Sequence, residues 1–189
     1  MKYMIRLHIL AILLGLSAPM AGCVDRPPLA EPAFVGSGLY ILGPGDRLRI
    51  VVYDQPSLTN LYEVDQSGQV SLPLVGDILA GGTTVDELAE RIEAKLAAGY
   101  LREPNVTAEV AIYRPYFVLG EVGTPGQYAY VPGLTAEKAV AAAGGYTERA
   151  NKRIVRLSRT VNGKLYETRV LVIEPIRPGD TVYVPESLF

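Results

Sequence analysis

The chain has 189 residues, 49% hydrophobic and 20% charged, with 18 basic and 20 acidic side chains and a net charge of −2. That length suits one domain or two small ones, and the composition is that of a globular protein, not a disordered one. The mild acidity excludes nucleic acid as a natural partner.

Met1 to Gly22 reads as a secretory signal, because Lys2 and Arg6 flank an apolar run from Leu7 to Leu16 and small residues follow it. The run is shorter than the ~20 apolar residues of a membrane span. Met20-Ala21-Gly22-Cys23 resembles a bacterial lipobox with Met in place of the usual Leu, which implies cleavage before Cys23 and acylation of its thiol. Val24, where retention in the inner membrane is associated with Asp, implies the periplasmic face of the outer membrane. Processing removes Lys2, Arg6 and the only histidine, His8, leaving 16 basic against 20 acidic residues and a net charge of −4. It also leaves the only cysteine acylated. Ser-His-Asp and Cys-His nucleophiles, His/Cys zinc sites and internal disulfides are thereby excluded. No cofactor or metal site is expected.

From Val24 to Gly38 the residues Pro27, Pro28, Pro32, Gly36 and Gly38 interrupt any periodicity, so 23–39 reads as a lipid-anchored tether. A first strand is expected over Asp46–Tyr53. Leu61–Val64 and Gln69–Leu74 flank Asp65-Gln66-Ser67-Gly68 and predict a hairpin, with Pro73 at an edge or strand end. Thr84-Val85-Asp86-Glu87 matches a capping box. Val85, Leu88, Ala89, Ile92 and Leu96 then share one helical face, with Asp86, Glu87, Glu90, Arg91, Glu93 and Lys95 on the solvated side and Gly99 as terminator. Val106, Ala108, Val110 and Ile112 alternate as a half-buried strand.

Arg114-Pro115 marks a boundary, since proline disfavours helix before it and donates nothing to a ladder. Tyr116–Val122 and Gln127–Val131 predict a second hairpin, with Pro125-Gly126 forming a type II turn. A short helix follows over Ala136–Ala143, ended by Gly144-Gly145. Arg153–Val161 and Lys164–Val172 form a third hairpin around Asn162-Gly163, a type I′ pair. The last strand is Thr181–Val184. Hairpin, helix, hairpin and strand is an order compatible with a β-grasp. One local pattern occurs twice: Gly43-Pro44-Gly45-Asp46 before the first strand and Pro178-Gly179-Asp180 before the last. Proline presets φ, glycine supplies positive φ, and aspartate bonds back to the backbone, so both copies read as structural turns.

The ordered set of such segments resembles the Wza-type outer-membrane polysaccharide export lipoproteins. Tyr40-Ile41-Leu42-Gly43-Pro44-Gly45-Asp46, Val64-Asp65-Gln66-Ser67-Gly68, Leu72-Pro73-Leu74-Val75-Gly76 and Pro104-Asn105-Val106 are similar to the family's polysaccharide export domain. Val118-Leu119-Gly120-Glu121-Val122, Pro125-Gly126, Ala142-Ala143-Gly144-Gly145-Tyr146 and Pro178-Gly179-Asp180 are similar to its soluble-ligand-binding β-grasp (SLBB) domain. The expected fold is α+β: a small mixed-sheet export domain over 40–113, then one β-grasp domain over 114–189. The resemblance implies a homo-oligomeric ring, with eight subunits as a family example. Through it a capsular or extracellular polysaccharide would leave the periplasm, with an inner-membrane polysaccharide co-polymerase as partner. Long members carry more β-grasp units and an amphipathic C-terminal helix, whereas this sequence stops at Ser187-Leu188-Phe189. A separate outer-membrane pore protein is therefore expected to complete the channel. The competing expectation is a monomeric lipoprotein that binds a soluble glycan or cell-wall fragment.

Tyr113, Tyr116, Tyr128 and Tyr130 cluster at the junction as candidate glycan or subunit contacts, weighed against ordinary strand packing. Arg153, Arg156 and Arg159 lie in a locally basic stretch suited to an anionic polymer. Arg156 has the opposite strand parity to the other two, which favours a solvated hairpin. Asp46 and Asp180 offer no cleft for a catalytic carboxylate pair, and an enzyme is not expected.

Overall fold

A computed structural model describes residues 39–161 and 163–187. The signal segment 1–22, Cys23, nearly all of the tether, Asn162 and Phe189 lie outside the described residues. Among the described residues, ten strands and two helices form an α+β arrangement with two separate hydrophobic cores.

The first core is built on β1 (Arg47–Val52), whose Leu48, Ile50 and Val52 point inward on alternate positions. β1 is the central strand of an antiparallel three-stranded sheet, between β2 (Asn60–Glu63) and β5 (Val106–Ile112). A separate hairpin pairs β3 (Gln69–Leu72) with β4 (Gly76–Leu79). Helix α1 (Val85–Ala97) packs Leu88, Ile92 and Leu96 into the space between them. Its capping box is present: Thr84 Oγ1 accepts from the Glu87 amide at 3.2 Å, and the Glu87 carboxylate accepts from the Thr84 amide at 3.0 Å.

Two sequence expectations are corrected in this half. The Asp65–Gly68 turn forms, with the Asp65 carboxylate held below the usual range first by the Ser67 hydroxyl and then by local amides. The segments flanking it do not ladder with each other, because β2 pairs with β1 and β3 pairs with β4. The hidden β3–β4 turn uses Leu74 at φ 72° and Gly76 at φ 69°. Nor is the polar face of α1 simply solvated. Glu93 accepts from the Val106 amide at 2.7 Å, while Arg91 and Lys95 donate to the carbonyls of Leu79 and Asp77. The helix thus covers an edge strand with its own charges.

The second core lies beneath a five-stranded sheet in the order β7-β6-β10-β8-β9. Its strands are β6 (Tyr116–Gly120), β7 (Gly126–Tyr128), β8 (Ile154–Val161), β9 (Lys164–Leu171) and β10 (Thr181–Val184). First and last strands are parallel neighbours at the centre, with Val182 opposite Val118. Two hairpins flank them and helix α2 (Ala136–Ala142) crosses one face, burying Ala136, Ala139 and Val140. This is the β-grasp order. The β6–β7 hairpin is present, but its expected type II turn is not: Gly126 pairs with Val118 and lacks a positive φ. The chain bends instead at Gly120, φ 87°, where a Cβ would lie 2.1 Å from the Val184 carbonyl oxygen.

Candidate functional site

The two Pro-Gly-Asp segments adopt the same local structure. The Asp46 amide donates to the Gly43 carbonyl and the Asp180 amide to the Arg177 carbonyl, both at 3.1 Å. Gly45 and Gly179 occupy the third turn position at φ 89° and 85°, with proline before each, the pattern of a type II turn. Each aspartate then folds back on its turn, accepting from the Gly43 amide at 2.9 Å or the Arg177 amide at 2.7 Å.

Both carboxylates are buried, Asp46 at 0% and Asp180 at 1% exposure, so each needs a charged partner. Asp180 takes a two-pronged bond from Arg159, Nε at 2.9 Å and Nη2 at 2.6 Å. Asp46 takes the amide and Nη1 of Arg114, both at 2.9 Å, together with the Tyr40 hydroxyl. Arg114 lies at the junction between the two cores and reaches in both directions. Its Nε donates to the Pro178 carbonyl in the second turn at 3.2 Å. One arginine thereby holds the two Pro-Gly-Asp turns against each other. Gly43 and Gly179 make room for it: a Cβ would stand 2.5 Å from Nη1 at the first and 2.9 Å from Nε at the second.

A chain of tyrosines follows the same seam. Tyr40 meets Tyr113 edge-on at 4.9 Å between centroids, and Tyr113 meets Tyr130 at 5.5 Å. The Arg114 guanidinium lies 5.6 Å from the centre of the Tyr40 ring. Burial, and then the Asp46 carboxylate it bonds to, push the Tyr40 hydroxyl far above its ordinary range. Tyr130 is raised more by burial than by Tyr113 and Asp180. Beside this seam opens a groove of about 840 Å³, lined from the first half by Leu39, Ile41, Gln66 and Gly82 and from the second by Tyr130, Thr160 and Arg177. Its volume lies in the range of ligand sites, roughly 300–1,000 Å³.

The candidate residues separate into three groups. Tyr113 and Tyr130 line the groove. Tyr116, at 1% exposure, is a core side chain stacked on Tyr128 at 5.8 Å, which leaves its ring no surface for a glycan. Among the arginines, Arg159 is buried at 4% exposure on the Val155–Leu157 face of β8, contrary to a wholly solvated hairpin. Arg156 is on the opposite face, 4.3 Å above Tyr183 and 4.0 Å from Glu167, and Arg153 is exposed. Sequence reasoning missed Arg114, Tyr40 and Arg177 as site residues. The available signal was the repeated aspartate: an Asp following a Pro-Gly turn into a buried strand demands a cation, and Arg114 is the cation at the junction.

Residues 37–111 match the family described as polysaccharide biosynthesis/export protein, and residues 115–168 match the SLBB domain. Over 89% of its length the chain is 36% identical to the exopolysaccharide production protein ExoF of Rhizobium meliloti, covering 47% of that protein. It is 32% identical over 64% of its length to the EPS I polysaccharide export outer membrane protein EpsA of Ralstonia nicotianae, covering 38% of it. Against the polysialic acid transport protein KpsD of Escherichia coli the figures are 28% identity, 77% of this chain and 28% of that one. The chain spans less than half the length of these relatives. The chain thus carries a polysaccharide biosynthesis/export domain leading directly into an SLBB domain.

Proposed function

We propose that this protein is a non-catalytic component of a route by which a capsular or extracellular polysaccharide crosses the outer membrane. It is held at the periplasmic face through an acylated Cys23 and assembled as a homo-oligomeric ring. The observation that carries this reading is the continuous likeness to the exopolysaccharide production protein, which runs through both domains and the junction between them. An export domain over 40–113 and an SLBB domain over 114–189 divide the work: the first shapes the ring and the second adds a wall to the path. Buried Asp46 and Asp180 are each neutralised by arginine, so they serve architecture and not hydrolysis. Directional energy comes from synthesis or from an inner-membrane polysaccharide co-polymerase.

The test combines deletion with size measurement. Deleting the gene should abolish secretion of the polysaccharide, and the lipidated protein extracted in detergent should run as a closed oligomer. A Cys23→Ser form should be lost from the outer-membrane fraction. A monomer across the accessible concentration range, with secretion intact after deletion, would falsify the export ring and favour a monomeric glycan-binding lipoprotein.

A further inference from the structure

We infer that the free edge of β9 pairs antiparallel with the same edge of a second copy of this chain, joining two five-stranded sheets across a two-fold axis at Thr168. Such a contact is isologous, and so separate from the head-to-tail contacts that close a ring. β9 is the last strand of its sheet and pairs on one side only, with β8. Val161 lies opposite Lys164 at the turn, and the Val172 amide donates to the Arg153 carbonyl at 3.2 Å, which fixes the alternation of the ladder. The even-numbered residues of β9 therefore turn their N–H and C=O groups toward β8, while Leu165, Glu167, Arg169 and Leu171 turn theirs away. Among the described residues that outer row takes part in one backbone bond, from the Glu174 amide to the Leu171 carbonyl. An unpaired row of this kind is a template for another strand.

Side chains decide which strand fits. Laid antiparallel against itself about Thr168, the outer row sets each Leu165 against a Leu171 and each Glu167 against an Arg169. A shift of two residues either way sets Glu167 against Glu167 or Arg169 against Arg169, and a shift of one turns the bonding groups out of line. Opposite charges across a ladder stabilise it and like charges destabilise it, so one register is selected. Within the chain Arg169 lies opposite Arg156, a like-charged neighbour, and forms no ion pair among the described residues. The second copy supplies the missing carboxylate. On the other face Thr168 meets Thr168 at the axis and Tyr166 meets Val170, both favourable cross-strand pairs. Pairing also covers two exposed leucines, Leu165 at 64% and Leu171 at 49%.

Disulfide trapping in the detergent-extracted full-length protein tests the register. Two Thr168 residues facing each other at a non-hydrogen-bonded site have Cα atoms about 4.5 Å apart, within disulfide reach, whereas two Glu167 residues are displaced along the ladder beyond the ~7 Å limit. Cys23 is the only native cysteine, so linked dimer is scored above the level of the unsubstituted protein. Under mild oxidation Thr168→Cys should link at least roughly tenfold faster than Glu167→Cys, although residue 167 is the more exposed. In the Thr168→Cys background, Arg169→Glu should slow linkage about tenfold, and adding Glu167→Arg should restore it, which loss of folding would not do. Equal rates at 167 and 168, or no recovery in the double exchange, would overturn the pairing. Linkage through residue 168 without a closed oligomer would uphold the pair and overturn the ring. A closed oligomer without that linkage would overturn the pair alone and leave the export reading standing.

Discussion

Arg114 makes three kinds of contact with one side chain: an ion pair to Asp46, a hydrogen bond to Pro178 and a cation–π contact with Tyr40. Removing it leaves the Asp46 carboxylate buried with only the Tyr40 hydroxyl and backbone amides. Breaking a buried pair from one side costs about 3–5 kcal/mol, and Arg114 is partly exposed, so the lower end applies. Arg114→Ala should therefore lower the stability measured by urea denaturation by about 3 kcal/mol, and Arg114→Lys should recover only part, because an ammonium lacks the guanidinium fork that reaches both turns. Gly43→Ala should act through the same clamp. Its cost and that of Arg114→Ala should fall well short of additive in the double variant. An additive double variant, or an Arg114→Ala cost below about 0.5 kcal/mol, a typical surface effect, would refute the clamp. The turns themselves were legible, because Pro-Gly-Asp encodes its own φ angles. The clamp was not: Arg114 is 68 residues from Asp46 and 64 from Pro178, and no local pattern carries information over that separation.

At the scale of elements, helices and strands with strong periodicity were legible nearly residue by residue. The capping box at Thr84, the inward Leu48-Ile50-Val52 alternation and the small-residue face of α2 follow from spacing alone. The pairing of β2 was not, because a good turn signal at Asp65–Gly68 says that the chain reverses without saying which strand lies alongside. The β3–β4 turn was masked by Leu74, a residue that rarely takes positive φ. Gly120 shows the same limit from the other side. It closes the parallel β6–β10 pair, where its missing Cβ admits the Val184 carbonyl, an approach visible only once the two strands are neighbours. Gly120→Ala combines a strained φ of 87° with a backbone clash at 2.1 Å and should cost about 2–4 kcal/mol in a thermal or urea melt. Gly163→Ala has positive φ as well, but nothing lies near its Cβ, so it should cost only about 1 kcal/mol. Equal losses in the two variants would show that the contact with Val184 has no energetic weight.

For the whole molecule, the two domains are joined by a seam of tyrosines and arginines, and ionisation of its buried tyrosines should loosen that seam at alkaline pH. Tyr40 has an ordinary value of 10.0 and is raised well above it in the folded chain, by burial first and then by its bond to the Asp46 carboxylate. Tyr130, across the seam, is raised too, again chiefly by burial. A group whose folded value exceeds its unfolded value contributes stability that is complete below the unfolded value and is lost as pH rises toward the folded one. Folding stability should accordingly be flat through neutral pH and fall once pH passes about 10, where the unfolded chain begins to release tyrosine protons that the folded chain retains. Tyr40→Phe removes one of these groups. It should be less stable than the parent at neutral pH, for want of the hydroxyl bond to Asp46, and should lose less stability between neutral pH and pH above 10. Tyr62, Tyr116 and Tyr146 are raised by burial within the domains, so part of the slope should survive the substitution. Urea midpoints measured across that pH range for both proteins decide the matter. Parallel curves would mean that Tyr40 titrates alike in the folded and unfolded chains, and that the seam does not couple domain packing to its ionisation.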